Sequence, residues 1–251
     1  MKEYRKEELL SLLQEEKVLK VTEIAKKLNV TNMTVRRDLQ ELEDQGLLTR
    51  IHGGAKLITN QTLSFSELSH IEKQQMNLEE KQQIAKIVAN QIEDGDTIFI
   101  GSGTTLELVY DYLTVNHAKI ITNSFHVFEK FKTDTRFELV LIGGSYRAKT
   151  GAFVGTIAND FVSSIYVQKA FIGVNGINEL AVFNSNEDEG LTQRFILDSA
   201  QRKYIVADES KFDKQDFYRF YQLDKIDVLI TNQRTPEDKL KKYQYLTTIL
   251  K

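Results

Sequence analysis

The feature that most constrains the fold is a regular alternation of short apolar runs with amphipathic segments after residue 94. The runs are rich in β-branched and aromatic residues, as strands are. They are Thr97–Ile100, Lys119–Thr122, Glu138–Ile142, Lys169–Val174, Lys203–Ala207 and Val228–Thr231. The segments Thr105–Leu113 and Ser124–Phe131, which separate the first three runs, have helical spacing. This alternation predicts an α/β domain in which βαβ crossovers build a mainly parallel sheet.

The composition excludes several classes of protein. The 251 residues contain no cysteine, which excludes disulfides, thiolate metal sites and cysteine nucleophiles. The four histidines lack metal-ligand spacing, so we expect neither a metal nor a cofactor. No apolar run approaches the roughly 18 residues of a membrane span, and the N-terminus is charged from Lys2 onward. These features predict a soluble cytoplasmic protein without a membrane partner, whereas the net charge of −3 predicts nothing about nucleic acid.

The first 58 residues predict a smaller domain with a helix-turn-helix and a wing. Residues 1–46 have helical periodicity throughout, with no convincing strand. The predicted elements are a helix over Lys2–Glu16, a helix over Glu23–Leu28 with Thr22 as its N-cap, a helix from a Thr31 cap to Gln45 with Gly46 as its left-handed C-terminal cap, and a wing of two strands, Leu47–Arg50 and Ala55–Ile58.

The third of these helices has two chemically different faces. At about 100° per residue, Val35, Leu39 and Leu42 form an apolar stripe. Arginine, glutamine and methionine on the opposite face suit guanine edges, adenine edges and thymine methyl groups. The candidate DNA-binding residues are Thr22, Thr31, Asn32, Met33, Thr34, Arg36, Arg37, Gln40, Arg50, His52 and Lys56. The alternative is a solvated face on which the paired arginines bind Glu41, Glu43 or Asp44.

A second candidate site follows the first predicted strand, in the loop Gly101-Ser102-Gly103-Thr104-Thr105. Small residues let backbone N–H groups approach a phosphate, and a helix N-terminus adds free donors. An ordinary βα turn is the alternative. No lysine follows the loop, so it is not a nucleotide P-loop, and no acidic residue is placed for a dinucleotide ribose.

Other strand ends add polar or cationic residues to this side of the sheet, where open α/β sheets bind ligands. These residues are Asn123, Ser124, Gly144, Arg147, Asn175 and Lys211. They predict a site for an anionic polar ligand, although Arg147 and Lys211 are equally compatible with ordinary surface positions.

Two groups of residues resemble a known family. Arg5, Leu9 and Leu13, followed by Thr31-x2-Thr34-Val35-Arg36-Arg37-Asp38-Leu39, resemble the helix-turn-helix signature of the DeoR family of bacterial repressors, and Ile51–Ala55 resembles its wing. The rest resembles the family's effector domain, which is similar to ribose-5-phosphate isomerases. The resemblance implies that double-stranded operator DNA and a phosphorylated sugar are the partners. It also implies that Gly101–Thr105 grips the phosphate, with Asn123, Ser124, Asn175, Glu189 and Lys211 near the carbon chain.

One departure from the isomerases argues against catalysis. Where they carry Asp-Gly-x-Asp, this chain has Asn175-Gly176-Ile177-Asn178. Because an amide cannot act as a general base, Glu189 lacks partner carboxylates for proton transfer. We therefore predict a binding protein with no catalytic residue. Two alternatives remain, an active isomerase with a DNA-binding head and a regulator whose C-terminal domain only oligomerises.

The predicted domains are residues 1–58, a winged helix-turn-helix; 59–76, a linker; and 77–251, a sugar-phosphate-sensing α/β domain. Paired operator half-sites about 34 Å apart need paired heads, so we expect a homodimer or homotetramer. The segments Asn184–Gln193 and Ser210–Phe217 are similar to the family branch that controls lactose uptake and responds to a tagatose phosphate. These features predict a repressor of a sugar uptake or catabolism operon that a phosphorylated sugar releases from its operator.

Overall fold

A computed structural model of the chain describes residues 2–16, 18–44, 48–51, 53–57 and 67–251. The chain divides into two compact units, Met1–Ser64 and Phe65–Lys251. Gln45, Gly46 and His52 lie outside the described residues, as do the side chains of Asp44 and Lys56. The predicted cap at Gly46 and the DNA contacts of His52 and Lys56 therefore remain predictions.

The described part of the first unit contains three helices and a small antiparallel sheet. In chain order its elements are α1 (Lys2–Glu16), β1 (Val18–Lys20), α2 (Val21–Lys27), α3 (Asn32–Asp44), β2 (Leu48–Ile51) and β3 (Gly54–Leu57). Leu9 and Leu13 of α1 pack with Ile24 of α2 and with Val35 and Leu39 of α3 in one buried cluster. This arrangement confirms the predicted winged helix-turn-helix fold.

Two local predictions in this unit are wrong. Residues 1–46 are not helical throughout, because β1 pairs with β3 of the wing and makes the sheet three-stranded, in the order β1-β3-β2. Thr22 is not an N-cap, because α2 already begins at Val21 and Thr22 lies exposed in its first turn. The backbone N–H of Lys20 donates to Glu23 Oε2 (2.9 Å), which anchors the start of this helix.

The second unit is described from residue 67 to the C-terminus and is built on a parallel sheet. Its elements in chain order are α4 (His70–Gln75), α5 (Leu78–Ala89), β4 (Thr97–Ile100), β5 (Ala118–Thr122), α6 (Phe125–Phe131), β6 (Phe137–Leu141), β7 (Ser145–Arg147), β8 (Ala152–Val154), α7 (Thr156–Ser164), β9 (Val167–Gly173), β10 (Gly176–Asn178), β11 (Ala181–Asn184), α8 (Glu187–Asp198), β12 (Ala200–Val206), β13 (Tyr218–Gln222), β14 (Val228–Ile230), α9 (Glu237–Leu240) and β15 (Thr248–Leu250). Short 3-10 helices cover Leu106–Tyr112, Glu209–Lys211 and Leu223–Lys225. The segment Thr105–Leu113 thus forms a 3-10 helix where an α-helix was predicted.

Seven of these strands form the main sheet, in the order β15-β14-β12-β9-β4-β5-β6. Every pair of neighbours in it is parallel, which confirms the predicted α/β fold. The strand order reverses direction between β4 and β9. At such a switch point the loops after the strands diverge and leave room for a ligand.

Alternate residues of the central strands enter two different cores. Phe99 packs into the cluster that includes Val162 of α7 and Ile196 of α8. Its neighbours Ile98 and Ile100 join the opposite cluster, together with Ile84 of α5. Because successive strand residues point to opposite faces, these continuous apolar runs require helices on both sides of the sheet.

The predicted linker, residues 59–76, is wrong in its C-terminal part. Residues 70–75 form α4, and Ser69 and Glu72 form a capping box at its start. The N–H of Ser69 donates to Glu72 Oε2 (2.7 Å), and the N–H of Glu72 donates to Ser69 Oγ (3.4 Å). This segment belongs to the second unit and lines a cavity in it.

Candidate functional site

The first candidate site is the outward face of α3. Its apolar stripe is buried as predicted, with Val35, Leu39 and Leu42 at most 1% exposed. On the other face, Met33 is 74% exposed, and Arg36 and Arg37 are exposed. Within the described ranges neither arginine forms a hydrogen bond or an ion pair. Two acidic residues of the alternative interpretation pair elsewhere, Glu41 with Lys6 and Glu43 with Arg50, and the side chain of the third, Asp44, lies outside the described residues.

The ends of this face differ in how they are occupied. Thr31 caps α3, because its Oγ1 accepts from the N–H of Thr34 (3.2 Å), and Asn32 is exposed beside it. Gln40 is half-buried. Arg50 of the wing is bound to Glu43 (Nε to Oε2, 2.8 Å), so a DNA contact there must compete with an exposed ion pair.

The second candidate site is a cavity of about 240 Å³ in the second unit. One wall is formed at the carboxyl ends of β4, β9 and β12, by residues 102–106, 173–175 and 206–211. The opposite wall includes residues 67–77 and Lys81 of α5. The cavity therefore lies at the switch point of the sheet, where the topology predicts a ligand.

The loop after β4 offers unused donors to this cavity. The backbone N–H groups of Ser102, Gly103, Thr104 and Thr105 have no acceptor among the described residues. Gly103 takes a φ of +138° and its carbonyl ends the loop by accepting from Leu106 (3.0 Å). Consecutive free N–H groups of this kind form a nest for an anion. The element after the loop is a 3-10 helix, so the free donors are those of the loop and not those of an α-helix N-terminus.

Glu189 of α8 is buried at the floor of the cavity and is held by several donors. Its carboxylate accepts from Ser102 Oγ (2.8 Å), Thr150 Oγ1 (3.1 Å) and Arg147 Nη1 (3.3 Å). These contacts join the loop after β4 to α8. Both carboxylate oxygens are thereby occupied, which suits a fixed structural anion better than a base awaiting a proton.

Four lysines line the cavity, Lys73, Lys81, Lys211 and Lys214, and burial lowers the pKa of the first three. Lys73 Nζ donates to Asn175 Oδ1 (3.2 Å), and Lys81 Nζ donates to the carbonyl of Lys73. Lys211 differs, because its half-buried ammonium has neither a hydrogen bond nor an ion pair in the described part of the chain. Desolvation outweighs the attraction of Asp208 and Asp216 at this ammonium, since its pKa is lowered, so the cavity is suited to an anionic ligand.

The structure brings together only part of the predicted effector set. Ser102, Gly103, Thr104, Thr105, Asn175, Glu189 and Lys211 line the cavity. Gly101, Asn123, Ser124, Gly144 and Arg147 do not line it. The N–H of Gly101 donates to the Phe171 carbonyl (2.9 Å). Arg147 reaches the cavity through three residues that line it, Glu67, Thr150 and Glu189.

The hairpin of β7 and β8 accounts for three of these exclusions. Asn123 Nδ2 donates to the Phe153 carbonyl (3.0 Å), and Ser124 caps α6 and bridges to Ala152. At Gly144, a side chain would collide with the Val154 carbonyl oxygen at 2.6 Å. Asn123 and Ser124, which were expected near the sugar chain, therefore lie outside the cavity.

Sequence reasoning missed the wall formed by residues 67–77. Glu67, His70, Lys73 and Asn77 all line the cavity from this segment. Its polar composition favoured a linker, although the pattern Ser69-x2-Glu72 is a capping box that can be recognised in the sequence.

A buried group of titratable side chains lies beside this wall. His70 Nε2 is 2.6 Å from Glu107 Oε1, and the rings of His70 and His126 stack at 3.7 Å. Burial raises the pKa of Glu107 to about 7 and lowers the pKa of both histidines.

Comparison with known families decides where the chain belongs. Residues 5–61 match the DeoR-like helix-turn-helix domain, and residues 76–233 match the DeoR C terminal sensor domain. The chain belongs to the DeoR family. Within this family, it is 41% identical over 251 residues to the lactose phosphotransferase system repressor of Streptococcus mutans, covering 99% of each chain. It is 40% identical over 238 residues to the Staphylococcus aureus (strain NCTC 8325 / PS 47) protein of the same name, covering 94% of each.

Among solved structures, the DeoR-family chain is similar to ribose 5-phosphate isomerase A from Methanocaldococcus jannaschii, with a TM-score of 0.39 and 19% identity over 54% of this chain and 55% of that one. None of the helices in the described ranges is both long and apolar enough to cross a bilayer. Nor do the described histidine, aspartate and glutamate residues form a group of three or more arranged to hold a metal ion.

Proposed function

We propose that this protein is a sequence-specific repressor of a sugar uptake or catabolism operon, and that a phosphorylated sugar in the cavity releases it from operator DNA. The observation that carries the proposal is that two sets of donors line one cavity. They are the Lys211 ammonium, which has no hydrogen bond or ion pair among the described residues, and the backbone N–H groups of residues 102–105, which have no acceptor there. Its family membership and its similarity to lactose phosphotransferase system repressors support the same assignment.

Operator binding rests on α3. Arg36 and Arg37 are exposed and uncommitted, and Met33 lies on the same face. Arginine can bond the O6 and N7 atoms of guanine through two donors, which gives sequence discrimination in the major groove. Thr31 and Asn32, at the start of the helix, are placed to meet phosphates.

Effector binding rests on complementary charge. A sugar phosphate brings a dianion for the loop N–H groups and Lys211, and hydroxyls for Asn175 and the other polar groups of the wall. Tagatose 6-phosphate is the first sugar to test, because the similar repressors are named for the lactose phosphotransferase system.

Release from DNA requires that the sugar phosphate distinguish two states. A ligand that binds both states equally does not change their relative populations. A 100-fold preference for one state changes the free-energy difference between them by about 2.7 kcal/mol. The sugar phosphate therefore binds the state that has low operator affinity more tightly. A homodimer or homotetramer presents paired DNA-binding units to paired operator half-sites. Sedimentation of the pure protein measures this oligomeric state.

The cavity favours binding over turnover. The side-chain amide of Asn175 donates to Ser185 Oγ (2.7 Å) and accepts from Lys73, and the Glu189 carboxylate accepts from three donors. An isomerase needs a carboxylate that is free to accept a proton from carbon, and neither group provides one. Interconversion of ketose and aldose phosphates by the pure protein would contradict this assignment.

The deciding experiment is thermal unfolding of the pure protein with tagatose 6-phosphate, unphosphorylated tagatose and inorganic phosphate. At 100 times its dissociation constant, a ligand adds about 2.7 kcal/mol to the stability of the unit that binds it. We expect stabilisation by the phosphosugar, its loss in Lys211→Met, and its retention in Lys241→Met, which removes an exposed lysine elsewhere on the second unit. If no phosphosugar in a wider panel shifts Tm, the sensing function is wrong and the second unit has an oligomerising role.

A further inference from the structure

Glu107 is a buried carboxyl group that the proposed repressor function does not use. It lies in the first turn of the 3-10 helix Leu106–Tyr112 and is 5% exposed. Its backbone N–H donates to the carbonyl of Gly103 (3.1 Å), which ties it to the loop 102–105. Its Oε1 atom is 2.6 Å from Nε2 of His70, the first residue of α4. This one residue therefore joins the loop after β4 to the opposite wall of the cavity.

A second histidine, His126 of α6, packs on His70. The two rings stack at 3.7 Å with 13° between their planes. Gly151 lies close to His126, because a Cβ at Gly151 would collide with the imidazole ring. The carbonyl of Gly151 also accepts from the N–H of Phe125 (2.8 Å), which holds the start of α6 in place. The side chain of His70 thus contacts a carboxyl group and a ring that belong to two other elements of the unit.

The helix α4 itself is attached to the second unit without apolar burial. No residue in the described range His70–Gln75 is buried, and Ile71 is 69% exposed. The N–H of His70 donates to the Lys149 carbonyl (2.9 Å), so backbone and side chain of one residue both hold the start of the helix. Segments of this kind open at low cost. The contact between His70 and Glu107 is therefore well placed to decide whether α4 stays against the cavity.

The surroundings of this contact favour uncharged groups. Burial raises the pKa of Glu107 to about 7 and lowers the pKa values of His70 and His126. The charged residues that face the three side chains are Lys73 of α4, Lys81 of α5, and Glu129 and Lys130 of α6. Slightly below pH 7, Glu107 therefore keeps its proton, and its O–H can donate to His70 Nε2 without burying a charge.

We propose that Glu107 is a positioning residue that holds α4 against the cavity through His70, and that this hold weakens when Glu107 loses its proton. The neutral pair buries no charge, whereas a carboxylate must be desolvated each time α4 closes. The closed state thus keeps a proton that the open state releases, so rising pH favours opening. This closure can be measured without any ligand, whereas control of effector release by the same movement rests on the proposed function.

Hydrogen exchange of the full chain at pH 6.5 and pH 8.0 tests the proton dependence. Between these values we expect protection factors of amides 70–76, corrected for intrinsic exchange, to fall about fourfold. The reason is that the pKa of Glu107 is about 7 with α4 closed and returns toward its ordinary value of 4.5 when α4 opens. Amides of β12, in the interior of the sheet, are the reference within each sample and should not change.

Glu107→Gln keeps a side chain that can donate to His70 but cannot titrate, so its protection factors should be equal at the two pH values. The matched control is Glu79→Gln, which removes an exposed carboxylate of α5 paired with Arg234 (3.1 Å) and should follow the wild type. A fourfold fall in Glu107→Gln as well would overturn the proton dependence.

His70→Phe tests the contact from the side of α4. This variant keeps a ring to stack on His126 but lacks the nitrogen that meets Glu107. We expect several-fold lower protection of amides 71–76 at pH 6.5, with amides of β12 unchanged. Protection equal to that of the wild type would overturn the positioning role.

Stopped-flow release of tagatose 6-phosphate from the full chain tests control of the effector. If the sugar leaves only when α4 opens, its release rate should rise about fourfold from pH 6.5 to pH 8.0 in the wild type and stay constant in Glu107→Gln. A constant rate in the wild type would overturn control of release and leave the positioning role intact. If no phosphosugar binds the wild type, the sensing function fails, and the exchange data still decide the role of Glu107.

Discussion

Arg5 of α1 and Asp38 of α3 form a two-point ion pair, with Nε 2.6 Å from Oδ2 and Nη2 3.0 Å from Oδ1. Asp38 is completely buried, although it directly follows the exposed Arg36 and Arg37. The pair therefore fixes the rotation of α3 about its own axis. With Asp38 turned inward, the two preceding arginines project outward, so a contact inside the domain orients the face that we propose to bind DNA.

Loss of this pair should unfold the DNA-binding unit more readily. In Asp38→Ala the guanidinium of Arg5 loses its partner and the buried site loses its acceptor, which is strongly destabilising. We expect the melting temperature of the first unit to fall by about 5 °C or more and operator affinity to fall with it. Circular dichroism melts measure this, with Glu8→Ala, at an exposed position of α1, as the control. An unchanged melt would mean that the pair does not hold the unit together.

Arg36→Ala should weaken operator binding with little effect on folding. Truncation of an arginine that reads a guanine costs about 1–3 kcal/mol of discrimination. Fluorescence anisotropy with operator and random duplexes at one salt concentration measures the difference. Arg219→Ala, an exposed arginine of β13, is the control for charge alone. If Arg36→Ala keeps the operator preference, this residue takes no part in base recognition.

Gly54→Ala should disrupt the wing. A Cβ at this position would lie 3.1 Å from the carbonyl carbon of Leu19 and closer still to its oxygen, because β1 and β3 approach each other there. We expect a lower melting temperature for the first unit and weaker operator binding. Gly143→Ala, where a Cβ meets nothing within 4 Å, should behave like the wild type. Equal stability of both variants would contradict the β1–β3 pairing.

Glu107 should make stability depend on pH in a defined direction. Its pKa is raised from 4.5 to about 7 by burial, so the folded state holds a proton that the unfolded state has released between these pH values. The contribution of this group to the free energy of unfolding is therefore present below pH 4.5 and declines as pH rises toward 7. The lowered pKa values of His70 and His126 act in the opposite sense, removing stability as pH falls below about 6.5.

Glu107→Gln removes the titrating carboxyl while keeping both histidines, although it also removes the attraction that the carboxylate exerts on His126. Urea midpoints at pH 5 and pH 8 should show the variant gaining on the wild type at the higher pH, by at most about 3 kcal/mol. Parallel pH profiles for the two proteins would show that Glu107 does not carry the titration.

What the sequence predicts well is set by local periodicity. The spacing of Val35, Leu39 and Leu42 follows from the helical repeat and identifies the buried face of α3 without any tertiary information. The apolar run Thr97–Ile100 likewise predicts β4, and the Gly101–Thr105 loop follows because strand ends lie at the ligand side of a parallel sheet.

What the sequence does not predict depends on partners that are distant along the chain. Strand β1 is only three residues long and receives its hydrogen bonds from residues 54–56, so alternation cannot be detected within it. Asn123 follows a correctly predicted strand, yet the β7–β8 hairpin takes up its side chain. Lys73 reaches the cavity only because α4 folds back onto the sheet, although the capping box at Ser69 marks where that helix begins.

The cavity is assembled from residues that are far apart in the chain, from Glu67 to Lys214. No short fragment contains the site, so the proposed sugar-phosphate effector would bind only the folded second unit and would be released when that unit unfolds. Proteases that cleave the unfolded chain act on a smaller population when the sugar is abundant. An effector that lifts repression would thus also lengthen the lifetime of the repressor. When the effector is depleted, the folded repressor that remains could bind the operator again.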